Sequence, residues 1–538
     1  GIGVVNMGEI EFIEEIEDSL KKGTYEDLLC GSELKLKNLF ERYIPEDVLT
    51  LINATIIFHN YNMICKEIDY SEYQENKHMS LRLIMSLPQF YYENISSYKS
   101  NRIENYDVVM DELIQIVIEL QSIYYYYPCR NQREFVLDNE NQFYMNYFKS
   151  YYLDYPYMDM ENFLQFFKTN SKLCEEVLGD DTFNDSLKLM LYLQNLEENV
   201  KKDKFSPNLF LSKDARKIIN AQSLILLYPI NVVKKICYNS KINFADFMKK
   251  YAYDLEDRNE NDVKLIDILI KSKDKRFLFK TPKFVFFPRN VFWMHKLYDL
   301  VWKSKNLKKN LPNGKTIKSA MQERALFEIL KKYFGENNVY ANVFLKRTGR
   351  DSAEKDFVVL YQNKVVSFEA KSDLLPVPEP EKFDSVDSIK SQCEECINTA
   401  YGQSLEVKNK VLGGTAVFYD NSSKKRKVVL DLRNVHIEEC MQIVVMYEEY
   451  LGIETNIEHI CPQFDAWIID VRTLEYILAD TVGKGRFDYF VDYVQKRKNG
   501  YGLVEVQSGE EILVYNLYKQ FPVLFEKNYG DIGISVHI

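Results

Sequence analysis

The sequence predicts an α/β C-terminal domain with a mixed central sheet, joined to a mainly α-helical N-terminal region. Apolar residues over 8–270 recur at helical spacing. After residue 320, strand-length apolar runs alternate with helical patterns, as in a layered α/β domain. The chain has 538 residues, and at ~150 residues per domain that length implies two to four domains.

Composition narrows the class. The chain is 46% hydrophobic and 28% charged, the balance of a packed globular protein rather than a disordered one. No apolar run approaches the ~18 residues of a membrane span. The longest, Leu113–Leu120, holds Gln115 and Glu119. The first residues lack a basic, apolar, small-residue signal pattern. Nine scattered cysteines read as reduced thiols, so a cytoplasmic protein with no membrane partner is expected. Cys393 and Cys396, with His436, Cys440, His459 and Cys461, fit no common zinc spacing.

Taken in order, Ile10, Ile13, Ile16 and Leu20 mark a first helix. Residues 106–127 form a long apolar helix that must stop near Pro128. Residues 185–199 repeat the pattern behind the cap candidates Asn184 and Asp185. Residues 1–270 hold no catalytic motif, so scaffold, sensor and oligomerisation or partner-protein surface are the roles open to them.

Residues 271–319 read as a basic connector containing strand. Residues 271–350 carry 20 Lys/Arg against 5 Asp/Glu, although the whole chain has a net charge of −11. Such polarity suits one surface that meets a polyanion. Lys280, Lys283 and Arg289 interleave with Phe279, Phe284, Phe286 and Phe287. Two readings stand: a nucleic-acid track with bases stacked on the rings, or a strand that hides its phenylalanines in a core.

Residues 320–538 form the C-terminal domain. A helix is expected from Ala320 to Phe334, then strands at Val339–Leu345, Asp356–Tyr361 and Lys364–Ala370. A helix spans Val386–Leu412. Strands follow near Ala416–Tyr419, Lys427–Asp431 and Ala466–Val471, with helices near 435–451, 473–481 and 486–497.

The chemistry concentrates in one hairpin. Gln362-Asn363 is a two-residue turn between apolar strands. Counting outward from it places Asp356 opposite Glu369 and Glu354 opposite Lys371, all four on one face. Opposed carboxylates are unfavourable without a cation. Mg²⁺, with Mn²⁺ as a substitute, is a hard ion suited to carboxylate and phosphate oxygens. Lys371 then stands where it can orient water or stabilise a phosphoryl transition state. A surface ion-pair cluster is the plainer alternative.

Asp356 followed by Glu369-x-Lys371, behind an acidic helix, resembles the PD-(D/E)XK nuclease superfamily. The resemblance covers about residues 320–410. It implies a restriction-endonuclease-like fold and Mg²⁺-dependent hydrolysis of phosphodiester bonds, with DNA ahead of RNA. It makes Asp356 and Glu369 metal ligands and Lys371 catalytic. The chain departs from the pattern in having Lys355 where Pro is common. Glu323 shares a stripe with Phe327, Leu330 and Phe334 and is preferred over Glu328 as the helix acid and third metal ligand. Gln403 ends the stripe Ile389, Cys393, Cys396, Ala400 and matches the glutamine that several branches place near the active site. Glu354 is an accessory residue that holds Lys371 or meets a second metal. By analogy alone, a nuclease domain with a large helical module is similar to prokaryotic anti-phage effectors. An RNA-directed toxin and a non-catalytic nucleic-acid-binding assembly protein are the rival readings.

Overall fold

The structure is a computed structural model. It describes residues 7–537 apart from 60–79, 133, 154–159, 201–224, 258–260, 289–290, 313, 349–352, 373–385, 423–424, 448–464, 500–503, 508–510 and 527–533. The chain divides into two compact units: Val5–Val136 with Tyr151–Leu307, and Leu137–Ser150 with Lys308–Ile538. The division falls inside the expected basic connector, so the positive stretch is shared between the units. Among the described residues, no helix is long and apolar enough to cross a membrane.

The first unit is mainly helical. Helix Tyr106–Tyr125 buries Leu113, Val117, Leu120 and Tyr124 along one side. It stops ahead of Pro128, which enters a 3-10 turn at Tyr127–Cys129. The next predicted helix start needs correction. The helix runs Phe183–Val200, so Asn184 and Asp185 lie within its first turn rather than capping it. Buried Asp180 organises that end instead, accepting from Thr182 N and from Ser186 Oγ.

A small sheet completes this unit. Strands β1 (Ile225–Pro229), β2 (Ala252–Asp254), β3 (Leu278–Lys280) and β4 (Phe284–Pro288) align in the order β1-β4-β3-β2. Phe277, Phe279, Phe286 and Phe287 are buried. These four rings fill a core, as the strand reading expects, while Phe284 is half-buried. Lys280 is ion-paired to Asp254, whereas Lys283 is exposed. Arg289 lies outside the described residues.

The second unit is built on a five-stranded mixed sheet. Helix α1 (Ile317–Phe334) starts at Thr316, whose side chain accepts from Ser319 N. Strands β5 (Val339–Val343), β6 (Lys355–Tyr361) and β7 (Lys364–Lys371) follow as an antiparallel meander. Helix α2 (Val386–Leu412) crosses over. A side hairpin, β8 (Val417–Tyr419) and β9 (Val428–Asp431), precedes β10 (Glu439–Met446) and β11 (Trp467–Asp470). The sheet order is β11-β10-β7-β6-β5, with β10 parallel to both β7 and β11. Helices α3 (Val471–Asp480) and α4 (Phe487–Asn499) complete the predicted alternation.

One predicted element is wrong. The helix expected over 435–451 is strand β10. Its Ile443-Val444-Val445 run favours strand, and a central strand covered on both faces shows a continuous apolar run rather than alternation.

The hairpin register is the one counted from the sequence. Tyr361 pairs with Lys364 and Phe357 with Phe368. Gln362 and Asn363 have φ of 46° and 59°, the left-handed pair of a type I′ turn. One face of the hairpin packs on α1, where Phe327 stacks on Phe357 and Phe334 meets Phe368. Val358 and Val365 on the other face join Val407 and Val411 of α2 in a shared core.

Candidate active site

The carboxylates gather at the open end of the β6–β7 hairpin. Asp356 lies in β6 one residue before the Phe357–Phe368 pair and is fastened to the neighbouring strand: Ala370 N donates to its Oδ2 at 2.8 Å. Glu369 is 0% exposed, and neither of its carboxylate oxygens has a hydrogen-bond partner. Burial pushes the Glu369 carboxyl well above the usual carboxylate range. The Asp356 charge adds to the rise, while Lys371 and Lys355 oppose it. Asp356 is also raised by burial, against the pull of the Ala370 N–H, Lys371 and Lys315.

Lys371 and Gln403 come together as the sequence suggested. Lys371 Nζ donates to Gln403 Oε1 at 3.3 Å, linking the end of β7 to α2. Glu323 lies near Asp356, and Glu328 is 62% exposed and paired with Lys331, so Glu323 is the helix acid of the cluster. Burial raises the Glu323 carboxyl, partly offset by Lys315, and the Asp356 charge raises it further.

Glu354 does not hold Lys371. Its Oε1 accepts from Lys315 Nζ at 2.8 Å, and the same ammonium donates to Glu323 Oε2 at 2.6 Å and to Asn342 Oδ1 at 2.9 Å. Alternation of strand faces predicted otherwise because Glu354 lies just outside β6, where the alternation no longer governs it.

Sequence reasoning missed Lys315, Asn342 and the Lys355–Glu406 pair. Lys315 sits in the turn before α1, and only the Thr316-x-x-Ser319 cap signature locates it beside the helix that carries Glu323. Lys355 is fully buried, and its Nζ donates to Glu406 of α2 at 2.8 Å. The departure from Pro at this position therefore places a cation close enough to bear on Glu369.

A hard divalent cation fits the Asp356–Glu369 pair. A fully buried carboxylate with no donor aimed at it is costly, and Mg²⁺ is commonly held by one or two carboxylates plus waters and phosphate oxygens. Among the described residues, no group of three or more His, Cys, Asp or Glu side chains is arranged to hold a metal ion. Cys440 is buried in the α2 core with its thiol pushed up to about 12 by burial, His436 is exposed, and His459 and Cys461 lie outside the described residues.

Compared with known proteins, the chain matches no family model, no curated protein and no solved structure.

Proposed function

We propose that the second unit is a Mg²⁺-dependent nuclease that hydrolyses phosphodiester bonds, with DNA as its substrate ahead of RNA. The observation that carries this reading is Glu369: a buried carboxylate without a hydrogen-bond donor, beside a second carboxylate and a lysine. Support also comes from the order of the parts within one unit. The acidic helix, the Asp356 strand, the Glu369-x-Lys371 strand and the Gln403 helix follow each other as the resemblance to PD-(D/E)XK nucleases implies.

Asp356 and Glu369 hold the metal, and Glu323 stands behind them. A bound Mg²⁺ supplies charge neutralisation at the phosphate and an activated water. Lys371, steadied by Gln403, donates to the attacking water or to the phosphate oxygens as negative charge develops. Ala370 N–H keeps Asp356 turned toward Glu369. Free buried thiols at Cys174, Cys237 and Cys440 suit a reducing, cytoplasmic compartment. The helical unit suits a sensing or assembly role in an anti-phage effector.

The test is incubation of the full chain with plasmid, linear DNA and RNA, with Mg²⁺ or with chelator. Metal-dependent cleavage that Asp356→Ala removes is the expected result. Cleavage of RNA alone corrects the substrate. Binding without cleavage of any substrate overturns the enzymatic reading.

A further inference from the structure

We propose that Lys315 is a built-in cation standing where a second divalent ion would otherwise bind, so that this site works with one exchangeable metal ion. The inference rests on the nuclease reading above.

Lys315 Nζ donates to three oxygens from three separate segments: Glu323 Oε2 on α1, Asn342 Oδ1 on β5 and Glu354 Oε1 just before β6. An ammonium has three donors, and these contacts use all three. The surrounding groups are the oxygen ligands that a hard cation selects. Asp356 lies close enough to feel the charges of Lys371, Lys315 and Glu354 alike.

The backbone is shaped around this contact. Asn342 has φ of 52° inside a strand, and its position opposite Asp356 is skipped in the ladder that otherwise pairs Ala341 with Phe357 and Val343 with Lys355. Asparagine is among the few non-glycine residues that adopt this conformation readily, and here it interrupts the ladder between two paired positions. Here the departure coincides with the Asn342 amide oxygen meeting Lys315.

The two cation positions therefore differ. Glu323 and Glu354 are neutralised from within the chain. Glu369 has no donor, so it is the carboxylate that an outside ion must satisfy. A divalent ion entering between Glu323 and Glu354 would meet the ammonium already there and be repelled.

The experiment is Mn²⁺ titration of the full chain, by calorimetry and by loss of the free-ion paramagnetic resonance signal. Neither readout needs catalysis. Wild type is expected to take up one ion that Glu369→Gln abolishes. Lys315→Met should take up two, the second lost again in Lys315→Met with Glu323→Gln, and Lys315→Arg should return to one. A single ion in folded Lys315→Met overturns the proposal and leaves the nuclease reading standing. So do two ions in wild type, a measurement that requires no variant to fold. No ion in wild type overturns the nuclease reading itself, and this inference with it.

Discussion

Ala370 N donates to Asp356 Oδ2 at 2.8 Å across the hairpin, which holds the Asp356 carboxylate beside buried Glu369. Asp356→Ala removes the acceptor of this bond together with one of two opposed charges, and because the hairpin is held by its own ladder and by its packing on α1, the fold should stay intact. Cleavage should fall by more than the ~10–100-fold typical of losing a second-sphere partner. Circular dichroism and a nicking assay on the same preparation check both halves, and wild-type nicking rates would remove Asp356 from the mechanism.

Glu369→Gln should stabilise the metal-free protein. The substitution removes a carboxyl whose ionisation is opposed by burial but keeps an unsatisfied amide, so the gain should be about 1–3 kcal/mol near neutral pH. The sign follows from linkage. The folded Glu369 carboxyl titrates well above its ordinary value. Its contribution to stability is thus fully present below the unfolded pKa of ~4.3 and is lost as pH rises through the folded one. The advantage of the variant should grow with pH. Urea melts of both proteins at acidic and neutral pH measure it, and a constant difference would contradict the burial argument.

Asp180 predicts the opposite pH response in the helical unit. It is fully buried, which raises its pKa, but contacts from Lys250, Tyr251, Ser186 and Thr182 lower it by more, so the net shift is downward. That stabilisation is present above an unfolded pKa of ~3.9 and disappears as pH falls toward the folded value. Asp180→Asn should cost about 2–3 kcal/mol, below the ~3–5 of a fully buried pair, because the Lys250 side chain is 31% exposed. It should also flatten the acid limb of the stability profile. Thermal melts between pH 3 and 7 are the measurement, and an unchanged acid limb would mean that other carboxylates govern it.

The basic run makes a graded prediction for nucleic-acid binding. Lys283 is exposed, so Lys283→Ala should lower the salt slope of binding by ~0.7–0.9 if it meets a phosphate. Lys280 is already paired with Asp254, so Lys280→Ala should change the slope less. Binding isotherms across a salt series separate the two. An equal or reversed ranking would place the contact surface elsewhere, including on Lys346 and Arg347, which are exposed on the second unit.

The sequence alone determined what depends on local geometry. The Gln362-Asn363 turn sets the hairpin register, because two residues at positive φ leave a single pairing for the flanking strands. That register brings Asp356 and Glu369 together, and the apolar stripe of α1 selects Glu323 over Glu328. Tertiary structure decided what depends on contacts between distant segments. Strand β10 could not be told from a helix because the strands that take its edges, β7 and β11, and the packing that buries its faces come from distant segments of the chain. Lys315 could not be found because its partners lie 8, 27 and 39 residues away along the chain, and no periodicity in one segment encodes where a long, flexible side chain from another will end.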